Sequence, residues 1–579
     1  MTKKYLCRAL LSTFFIFNVV QGAVATSTPS LTTKEFRAFD ENGEMIRTGR
    51  GAVGKIGVVS TGKYEASKIG MDILKKGGNA IDAAVAAGFA LGVSEPNSSG
   101  LGGGGFMLIR IAKTGETIFV DFRERAPKNA TSNMWKVNEK GDVIGNEKKE
   151  GGKAAGIPGE VAGLIYALEN YGTMSREQVI RPSVKLAKEG FIVTPTLSAD
   201  MKNKYDLMIK YPEFGKVFLT EEGFAYEIGE KFTNKDMTKV LELIIKEGKE
   251  GFYKGDVAKS IVNSLNKYGG VFTMEDLANY KPKIKKPIIG NYRGYEIISS
   301  PAPSSGGAIV IQILNILENF NVGKLKVNSP EYLHLFSEAY KLAYADRAKY
   351  MGDTDYTPVP LKGLTSKKYA KDLSKKIDMK KSKKSVSHDP WIYESEDTTH
   401  YSIADKEGNM VSITKTVNGL FGNGIVADGY GFVLNNEMDD FVVGGNHPNS
   451  VEPGKSPLSS MSPTIVLKDG KPFMLLGSPG ATKIISTVSQ VISKVIDHKM
   501  GMQEAIDEPR LFDNTSNKIN VESRISDKTI EKLKKMGHEV TKTTEWDRGM
   551  GSVQGVLYKK DGTLEGGADP RRDGKAIGI

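Results

Sequence analysis

A lysine-rich stretch with few apolar residues interrupts this chain at residues 371–396 and leads directly into Asp397-Thr398-Thr399-His400-Tyr401-Ser402. A segment of this composition cannot build a core, so residues 371–397 are predicted to form an exposed, mobile basic tail. The pattern after Thr398 is β-rich, and 398–403 and 410–417 are predicted to be strands. The predicted strand that begins at Thr398 therefore directly follows a segment that is expected to move freely.

Thr398 would acquire unusual chemistry if the chain were cut just before it. A threonine hydroxyl is a weak nucleophile that needs a nearby base. The α-amino group of an N-terminal threonine has a pKa of about 7.7–8.0 and can accept the hydroxyl proton itself. Cleavage between Asp397 and Thr398 would thus put nucleophile and base in one residue. The six residues alone also fit an ordinary strand, and short motifs produce many false matches.

Composition excludes several classes of function. The 579 residues carry a formal net charge of +11, but the lysines are scattered among acids and form no nucleic-acid-binding module, so no nucleic-acid partner is predicted. The single cysteine, Cys7, excludes disulfides and cysteine metal sites in the rest of the chain. The histidines show no metal-binding spacing, so neither a metal nor a cofactor is predicted: His334, His388, His400, His447, His498 and His538. His400 is expected to be structural.

The N-terminus has the pattern of a secretory signal peptide. Lys3, Lys4 and Arg8 precede an apolar run, 9–20, that is too short to span a bilayer, and 23–25 provides small residues for cleavage. We therefore predict a signal peptide at 1–25 and a mature start at Thr26. No later segment is apolar for long enough to predict a stable membrane span. The expected location is periplasmic or secreted, in a bacterium.

Regular elements alternate along the rest of the chain. Helices are predicted at 64–76, 80–93, 308–318, 331–349 and 481–496, a further strand at 425–434, and a hairpin at 464–467 and 473–476. Gly100-x-Gly102-x-x-Gly105 matches a dinucleotide-binding fingerprint, but it follows a helix and opens a strand, which is the reverse of the required context. These glycines instead predict a close approach of two backbones. Ser304-Ser305 is predicted to be a helix cap and turn rather than a nucleophile.

Several separated blocks share one resemblance. They are Gly77-Gly-Asn-Ala-Ile-Asp-Ala-Ala84, Leu101-Gly-Gly-Gly-Gly105, Asp121-Phe-Arg-Glu-Arg-Ala-Pro127, Asp397-Thr-Thr-His-Tyr-Ser402, Asn435-Asn-Glu-Met-Asp-Asp-Phe441, Pro457-Leu-Ser-Ser-Met-Ser-Pro463 and Gly477-Ser-Pro-Gly480. In this order they resemble the γ-glutamyltranspeptidases, which are N-terminal-nucleophile hydrolases. The resemblance implies an α+β fold, a four-layer αββα sandwich interwoven from two chains after self-cleavage. These would be a large subunit, 26–397, and a small catalytic subunit, 398–579.

The resemblance also implies roles for individual residues. Thr398 would be the nucleophile, Thr416 its hydrogen-bond partner, and the backbone of Gly480 and Ala481 the oxyanion hole. The groups that would bind the α-carboxylate and α-ammonium of a γ-glutamyl donor are Arg123, Ser459 and Ser460 for the carboxylate, and Glu437, Asp440 and Asn418 for the ammonium. Without the resemblance, Arg123 and Asp440 could equally form a surface ion pair, and the two serines a turn.

Two features depart from the family pattern. Ala481 replaces the second glycine of the oxyanion pair, and it can serve through its backbone N–H if its φ is negative. The segment 442–456 is short and contains no tyrosine, so we expect an open or absent lid over the pocket.

The implied activity is cleavage of the γ-glutamyl amide of glutathione, glutamine and related donors, with transfer to water, amino acids or dipeptides. Maturation would be autocatalytic and would give a heterodimer of the two subunits, without a cofactor. Two enzymatic alternatives stay open: a poly-γ-glutamate depolymerase or transpeptidase, and an acylase of the same superfamily. A non-catalytic periplasmic amino-acid-binding protein is the alternative from another class.

Overall fold

Two seven-stranded antiparallel sheets form the centre of the protein. The computed structural model describes residues 36–383, 397–513 and 518–579. The predicted signal peptide at 1–25 and residues 384–396 of the predicted tail lie outside the described residues. The strands are β1 Ala52–Gly54, β2 Gly57–Thr61, β3 Gly104–Arg110, β4 Thr117–Asp121, β5 Phe191–Ile192, β6 Lys231–Phe232, β7 Lys283–Lys285, β8 Ile288–Tyr292, β9 Tyr295–Ser299, β10 Thr399–Asp405, β11 Met410–Thr416, β12 Thr464–Lys468, β13 Lys471–Gly477, β14 Leu511–Phe512, β15 Lys518–Val521, β16 Glu539–Lys542, β17 Gln554–Tyr558, β18 Leu564–Ala568 and β19 Lys575–Gly578.

Helices cover the outer faces of both sheets. They are α1 Tyr64–Lys75, α2 Ala80–Ser94, α3 Glu160–Tyr171, α4 Arg176–Glu189, α5 Pro195–Asn203, α6 Tyr205–Lys210, α7 Pro212–Phe218, α8 Lys235–Glu247, α9 Glu250–Tyr253, α10 Gly255–Lys267, α11 Met274–Ala278, α12 Gly306–Leu317, α13 Pro330–Tyr350, α14 Leu361–Leu364, α15 Lys367–Ser374, α16 Lys483–His498, α17 Met502–Asp507 and α18 Asp527–Lys535. Among the described residues, no helix has the length and apolar character needed to cross a bilayer.

The layers follow the order helix, sheet, sheet, helix. The first sheet has the strand order β19-β2-β10-β11-β3-β4-β7, and the second has β1-β18-β17-β13-β12-β9-β8. Helix α2 packs on β10 and β11, whereas α12 packs on β8 and β9, and α16 packs on β13. Between the layers β10 faces β17 and β13. The predicted αββα sandwich is confirmed.

The two sides of Thr398 are interleaved within each sheet. Strands β10 and β11 follow Thr398, yet they lie between β2 and β3, which precede it. The second sheet likewise joins β9 to β12 through a register that begins with Ser299 opposite Thr464. Each half therefore depends on hydrogen bonds from the other, and cutting the chain before Thr398 would leave two chains in one fold.

Helix α2 is buried along its whole length, as its alanine-rich sequence predicts. Its first turn is fixed by a capping box: Asn79 accepts hydrogen bonds from the Ile81 and Asp82 amides, and the Asp82 side chain reaches back to the Asn79 amide. This helix packs on the outer face of the first sheet, opposite the face that carries the Thr398 side chain.

The glycine run before β3 allows the backbone contact that the sequence predicts. A Cβ on Gly103 would collide with the carbonyl oxygen of Thr416, and a Cβ on Gly105 with the carbonyl of Thr414. Glycine at these positions lets the start of β3 lie directly against β11. The close approach helps to fix the position of Thr416.

The predicted strand at 425–434 is wrong. The segment forms isolated bridges instead, from Val426 to Val433 and from Leu434 to Gly102. Gly429 and Gly431 adopt positive φ values of 79° and 70°, and these left-handed residues fold the segment back on itself. A second difference concerns the predicted mobile tail: within residues 371–383, α15 continues to Ser374, and Ser382 is buried beside Glu338.

A buried ion pair links β11, which follows Thr398 in the chain, to α3, which precedes it. Lys415 Nζ on β11 lies 2.6 Å from Glu160 Oε1 on α3, and neither side chain is exposed. The same ammonium donates to the Gly88 carbonyl at 2.8 Å. Removing one member of such a pair leaves the other charge buried without a counter-ion.

We therefore expect Lys415→Met to lower the free energy of unfolding by about 3–5 kcal/mol. Urea unfolding followed by tryptophan fluorescence measures the change. Lys185→Met is the matched control, because the Lys185–Glu189 pair on α4 is exposed and such pairs contribute little. A Lys415→Met protein as stable as the control would contradict the role of this pair.

Candidate active site

Thr398 lies opposite Thr416 at the end of the β10–β11 pair. The register places His400 opposite Thr414 and Thr399 opposite Lys415, so the next pair is Thr398 and Thr416. Their side chains are on the face that points towards the second sheet, and the Thr398 hydroxyl donates to Thr416 Oγ1 at 3.2 Å. The structure thus brings the predicted nucleophile and its predicted partner together.

The Thr416 hydroxyl uses every hydrogen bond that it can make. It accepts from Thr398 and from the Asn418 amide, the latter at 2.7 Å, and it donates to the carbonyl oxygen of Asp397 at 2.6 Å. A hydroxyl has one donor and two acceptor positions. Because Thr416 must donate to the carbonyl, Thr398 must donate to Thr416. The polarity of this chain of hydrogen bonds is therefore fixed, and it ends on the carbonyl of the bond before Thr398.

His400 has a structural role in this arrangement. Its ring nitrogens contact Thr414 Oγ1 at 2.8 Å and Ser402 Oγ at 3.0 Å. Desolvation by complete burial lowers the pKa of His400 to about 3, so the ring is neutral. The neutral imidazole lies between the two sheets, and two hydroxyls of its own sheet hold it there. These contacts help to fix β10 and β11 relative to each other.

The predicted oxyanion turn directly follows strand β13, which packs against the face of the first sheet that carries Thr398. A Cβ on Gly477, the last residue of β13, would collide with the His400 ring, and Ser412 donates to the preceding Leu476 carbonyl. Strand β13 therefore runs from the level of Ser412 to that of His400 before the turn 478–481 begins. Among the described residues, the amides of Gly480 and Ala481 donate no hydrogen bond.

Ala481 does not meet the backbone condition set for it from the sequence. Its φ is +49°, in the left-handed region, and Gly480 has a φ of +126°. A left-handed conformation costs a residue with a Cβ roughly 1–2 kcal/mol. The helix α16 starts two residues later, and its N-terminal end also favours negative charge. Strain at this position is typical of functional turns.

Arg123 is buried in an acidic cluster rather than forming a surface ion pair. One of its terminal nitrogens pairs with Glu437 Oε1, and the other lies 2.7 Å from Asp440 Oδ2. It also donates to the carbonyl oxygens of Leu458 at 2.9 Å and Pro457 at 3.4 Å. Burial acts to lower the Arg123 pKa, but Glu437 and Asp440 outweigh it and raise the pKa. The surface-pair alternative is wrong, because Arg123 and Asp440 are only 1% and 6% exposed.

This cluster contains more negative than positive groups. Glu124 joins Glu437 and Asp440, so three carboxyl groups surround one guanidinium. Burial raises the pKa of Glu124 to about 7 and that of Glu437 well above its usual value. Within the described parts of the chain, neither carboxyl oxygen of Glu124 has a hydrogen-bond partner, so burial favours its neutral form. Among the described residues, Asp440 Oδ1 has no hydrogen-bond partner. The cluster is therefore suited to receive a cation.

Ser459 and Ser460 keep their hydroxyl protons available. Ser459 Oγ accepts from the Met461 amide at 3.1 Å, and Ser460 Oγ accepts from an Arg347 nitrogen at 2.8 Å. Arg347 also donates through Nε to Ser305 Oγ at 2.8 Å. Because both serines accept, each O–H can donate to an anion. Ser305 begins α12, as predicted, but its side chain makes no cap hydrogen bond.

Asn418 connects the nucleophile to this cluster. It has a positive φ of 71°, which asparagine tolerates better than most residues. Its side chain donates to the Asn436 carbonyl at 3.0 Å, and Asn436 precedes Glu437. Asn418 is thus placed between Thr416 and the acidic residues.

Sequence reasoning missed several residues of the site. Glu124 lies inside a recognised block and could have been found as a third acid beside Arg123. Arg347, Arg548 and Arg572 carry no local signal, since each reaches the site from a distant part of the chain. Arg572 Nη1 donates to the Thr398 carbonyl at 2.9 Å.

Two histidines that are far apart in sequence also meet in the fold. His334 Nδ1 lies 2.7 Å from His538 Nε2, and Glu338 is close to both. Spacing along the sequence could not show this group, because 204 residues separate the two histidines. The Glu338 carboxylate is already paired with Lys341 and accepts from Ser382.

The segment 442–456 packs against residues that belong to or adjoin the acidic cluster. The Asn449 side chain donates to the Asp440 carbonyl at 2.6 Å and accepts from the Leu458 amide at 2.8 Å. Val451 packs in a small apolar cluster with Trp135 and Phe441. These contacts anchor the segment beside residues 126–135. An open or absent lid stays a prediction.

Comparison with known proteins agrees with this geometry. Residues 66–579 match the sequence model of the family described as gamma-glutamyltranspeptidase. The glutathione hydrolase proenzyme of Escherichia coli (strain K12) is 44% identical over 532 residues, which cover 89% of this chain and 90% of that protein. The corresponding proenzyme of Bacillus subtilis (strain 168) is 40% identical and covers 99% of this chain and 97% of its own.

A solved structure shows the same fold over nearly the whole chain. The cephalosporin acylase from Bacillus halodurans superposes with a TM-score of 0.84 at 29% identity, covering 93% of this chain and 99% of that one. The match to the family model extends over most of the sequence, and the two relatives are similar over nearly their full length. This chain belongs to the γ-glutamyltranspeptidase family.

Proposed function

We propose that this protein is a self-cleaving proenzyme that, once cut before Thr398, hydrolyses or transfers the γ-glutamyl group of glutathione and related donors. The observation that carries the proposal is the fixed chain of hydrogen bonds from Thr398 through Thr416 to the Asp397 carbonyl. This chain connects the Thr398 hydroxyl to the carbonyl group that the hydroxyl would attack. The names of the two bacterial relatives, both proenzymes, support this reading.

Maturation would be an N-to-O acyl shift. The Thr398 oxygen attacks the Asp397 carbonyl carbon, and its proton leaves along the hydrogen bond to Thr416. Thr416 passes its own proton to the Asp397 carbonyl oxygen. The carbon–nitrogen bond then breaks, and that proton is transferred to the Thr398 nitrogen, which becomes a free amine. Water hydrolyses the resulting ester, which frees the Asp397 carboxylate and restores the Thr398 hydroxyl. The products would be a large subunit ending at Asp397 and a small one beginning at Thr398.

A zwitterionic donor would enter the acidic cluster without a change in total charge. Its carboxylate would lie against Arg123 and the hydroxyls of Ser459 and Ser460. Its ammonium would lie against Glu437 and Asp440, with Asn418 nearby. The internal ion pairs of Arg123 with Glu437 and Asp440 would thereby be exchanged for pairs with the two charged groups of the substrate. An uncharged group would instead leave buried charges poorly paired, which costs several kcal/mol.

Turnover would use the groups that maturation creates. The Thr398 amine accepts the hydroxyl proton as the oxygen attacks the γ-glutamyl carbonyl. The amide of Gly480 would stabilise the oxyanion, and one such donor is typically worth about 2.7–4 kcal/mol. Ala481 would add a second donor only if its φ became negative in the mature enzyme. The γ-glutamyl ester then passes to water, an amino acid or a dipeptide. The preceding signal sequence supports export to the periplasm or beyond.

An acylase is the second candidate, and the solved structure that carries this name favours it by overall similarity. The two functions differ in what the acidic cluster must bind. An acyl donor without an α-ammonium would gain nothing from Glu124, Glu437 and Asp440. Their excess negative charge therefore favours the γ-glutamyl donor.

We expect Thr398→Ala to abolish both self-cleavage and activity, because it removes the attacking oxygen. Thr398→Ser should retain both, since a serine hydroxyl can take the same role. Intact mass and a denaturing gel report cleavage, and release of p-nitroaniline from a γ-glutamyl anilide reports activity. Thr114→Ala, at an exposed position, is the control. Two normal bands from Thr398→Ala would refute the proposal.

The preference for a donor with an α-ammonium should depend on pH. It is measured as the ratio of kcat/KM for a γ-glutamyl anilide to that for the glutaryl anilide, which lacks only the α-amino group. Titration of the Thr398 amine affects both donors and cancels in this ratio. Protonation of Glu124 removes negative charge, so the ratio should fall as the pH falls through about 7. On the alkaline side the ratio should fall again once the donor's own α-ammonium loses its proton.

Glu124→Gln tests the origin of this dependence. At every pH at which the donor keeps its ammonium, Glu124→Gln should show the low ratio of kcat/KM values that the parent protein shows below about pH 7, because the glutamine amide cannot ionise. Glu139→Gln, at an exposed position, should behave as the parent protein. A ratio that still falls towards acid pH in Glu124→Gln would assign the titration to another group, and equal rates for the two anilides would favour the acylase.

A further inference from the structure

Arg548 makes contact with the side chain of the residue that precedes the nucleophile. Its Nη2 lies 3.3 Å from Asp397 Oδ1. Arg548 is not part of any motif that the sequence singles out, and it reaches this position from the turn that precedes β17. It lies next to Gly549 and Gly551, which approach the oxyanion turn at Gly480.

A second carboxylate fixes the orientation of the Arg548 guanidinium. Asp200 on α5 accepts from Nη1 at 2.5 Å and from Nη2 at 2.7 Å, in a fork-to-fork pair. Asp200 also accepts from Asn97 Nδ2 at 2.7 Å and is only 3% exposed. Burial acts to lower the Arg548 pKa, but Asp200 and Asp397 outweigh it and raise the pKa. The guanidinium is therefore charged and held in one orientation.

The bond before Thr398 is consequently held on both sides. Arg548 contacts the Asp397 side chain, and Thr416 donates to the Asp397 carbonyl. On the other side, Arg572 donates to the Thr398 carbonyl. With these groups fixed, little rotation remains for the peptide plane that Thr398 must attack. Near-attack geometry of this kind is a large source of rate in intramolecular reactions.

We propose that Arg548, oriented by Asp200, is a positioning residue for self-cleavage and that it recognises the carboxylate at position 397. This inference rests on the proposed maturation. Arg548 takes no proton and forms no bond. The Thr398 oxygen forms a bond to the Asp397 carbonyl carbon, the carbon–nitrogen bond breaks, and a hydroxyl proton is transferred to the nitrogen. The contribution of Arg548 is to hold that carbonyl where the hydroxyl reaches it.

The test is the rate of self-cleavage in the full-length chain, followed by denaturing gel and intact mass. Asp397→Asn removes the charge with almost no change in shape, and Arg548→Gln removes the partner. Each is expected to slow cleavage by roughly tenfold to hundredfold, the size of a charge-assisted hydrogen bond. The double variant should be no slower than the slower single variant, because both changes break one contact. Arg181→Gln, which breaks exposed ion pairs on α4, should cleave at the parent rate.

Asp397→Glu separates recognition of charge from simple packing. It keeps the carboxylate on a longer side chain, so cleavage should stay within about threefold of the parent rate, whereas a packing role would make the added methylene harmful. Asp397→Asn cleaving at the parent rate would overturn the inference, as would multiplicative effects in the double variant. If Arg548→Gln does not fold, Asp397→Asn and Asp397→Glu still decide the matter.

Failure of this inference differs from failure of the proposed function. If Thr398→Ala remains uncut while Asp397→Asn cleaves normally, the maturation scheme stands and the role of Arg548 is refuted. If Thr398→Ala is itself cut, the maturation scheme fails and the inference fails with it.

Discussion

The insertion of β10 and β11 between β2 and β3 is the constraint on which the site depends. It fixes the register that puts Thr398 opposite Thr416, and it places both threonines at the mouth between the two sheets. It also requires the part of the chain that follows Thr398 to fold together with the part that precedes it. A cut before Thr398 can then release a new N-terminus without separating the strands, because the sheet hydrogen bonds do not involve the bond that breaks.

The sequence predicts the parts of this arrangement whose signal is local. Alternation predicted both strands around Thr398 to within two residues at each end, and the alanine-rich pattern predicted the buried helix α2. The separated blocks predicted the sandwich and most of the site. The prediction at 425–434 failed because two glycines with positive φ override an apolar run. The backbone of Ala481 could not be predicted, since its φ is set by the turn between β13 and α16 rather than by the residue.

Long-range partners account for the rest of what was missed. Arg347 reaches Ser460 across 113 residues, and Arg548 reaches Asp200 across 348. Such pairs leave no periodicity or spacing in a sequence. Glu124 is different, because it lies beside Arg123 in a recognised block. Its role depends on burial with two other acids, and burial is a property of the fold rather than of the motif.

The acidic cluster and the chain of hydrogen bonds from Thr398 through Thr416 make opposite demands on the same pocket. This chain of hydrogen bonds requires the Asp397 carbonyl to be held in place. Neutral hydroxyls and arginines that are already paired hold the residues on both sides of this bond. The cluster has more acidic than basic groups, and burial raises the pKa of Glu124 and Glu437 and so favours their neutral forms. An ammonium placed beside them would favour the ionised forms, because opposite charges stabilise each other most where water is excluded. The burial that disfavours charge in the cluster would thus make it selective for a zwitterion, as the proposed function requires.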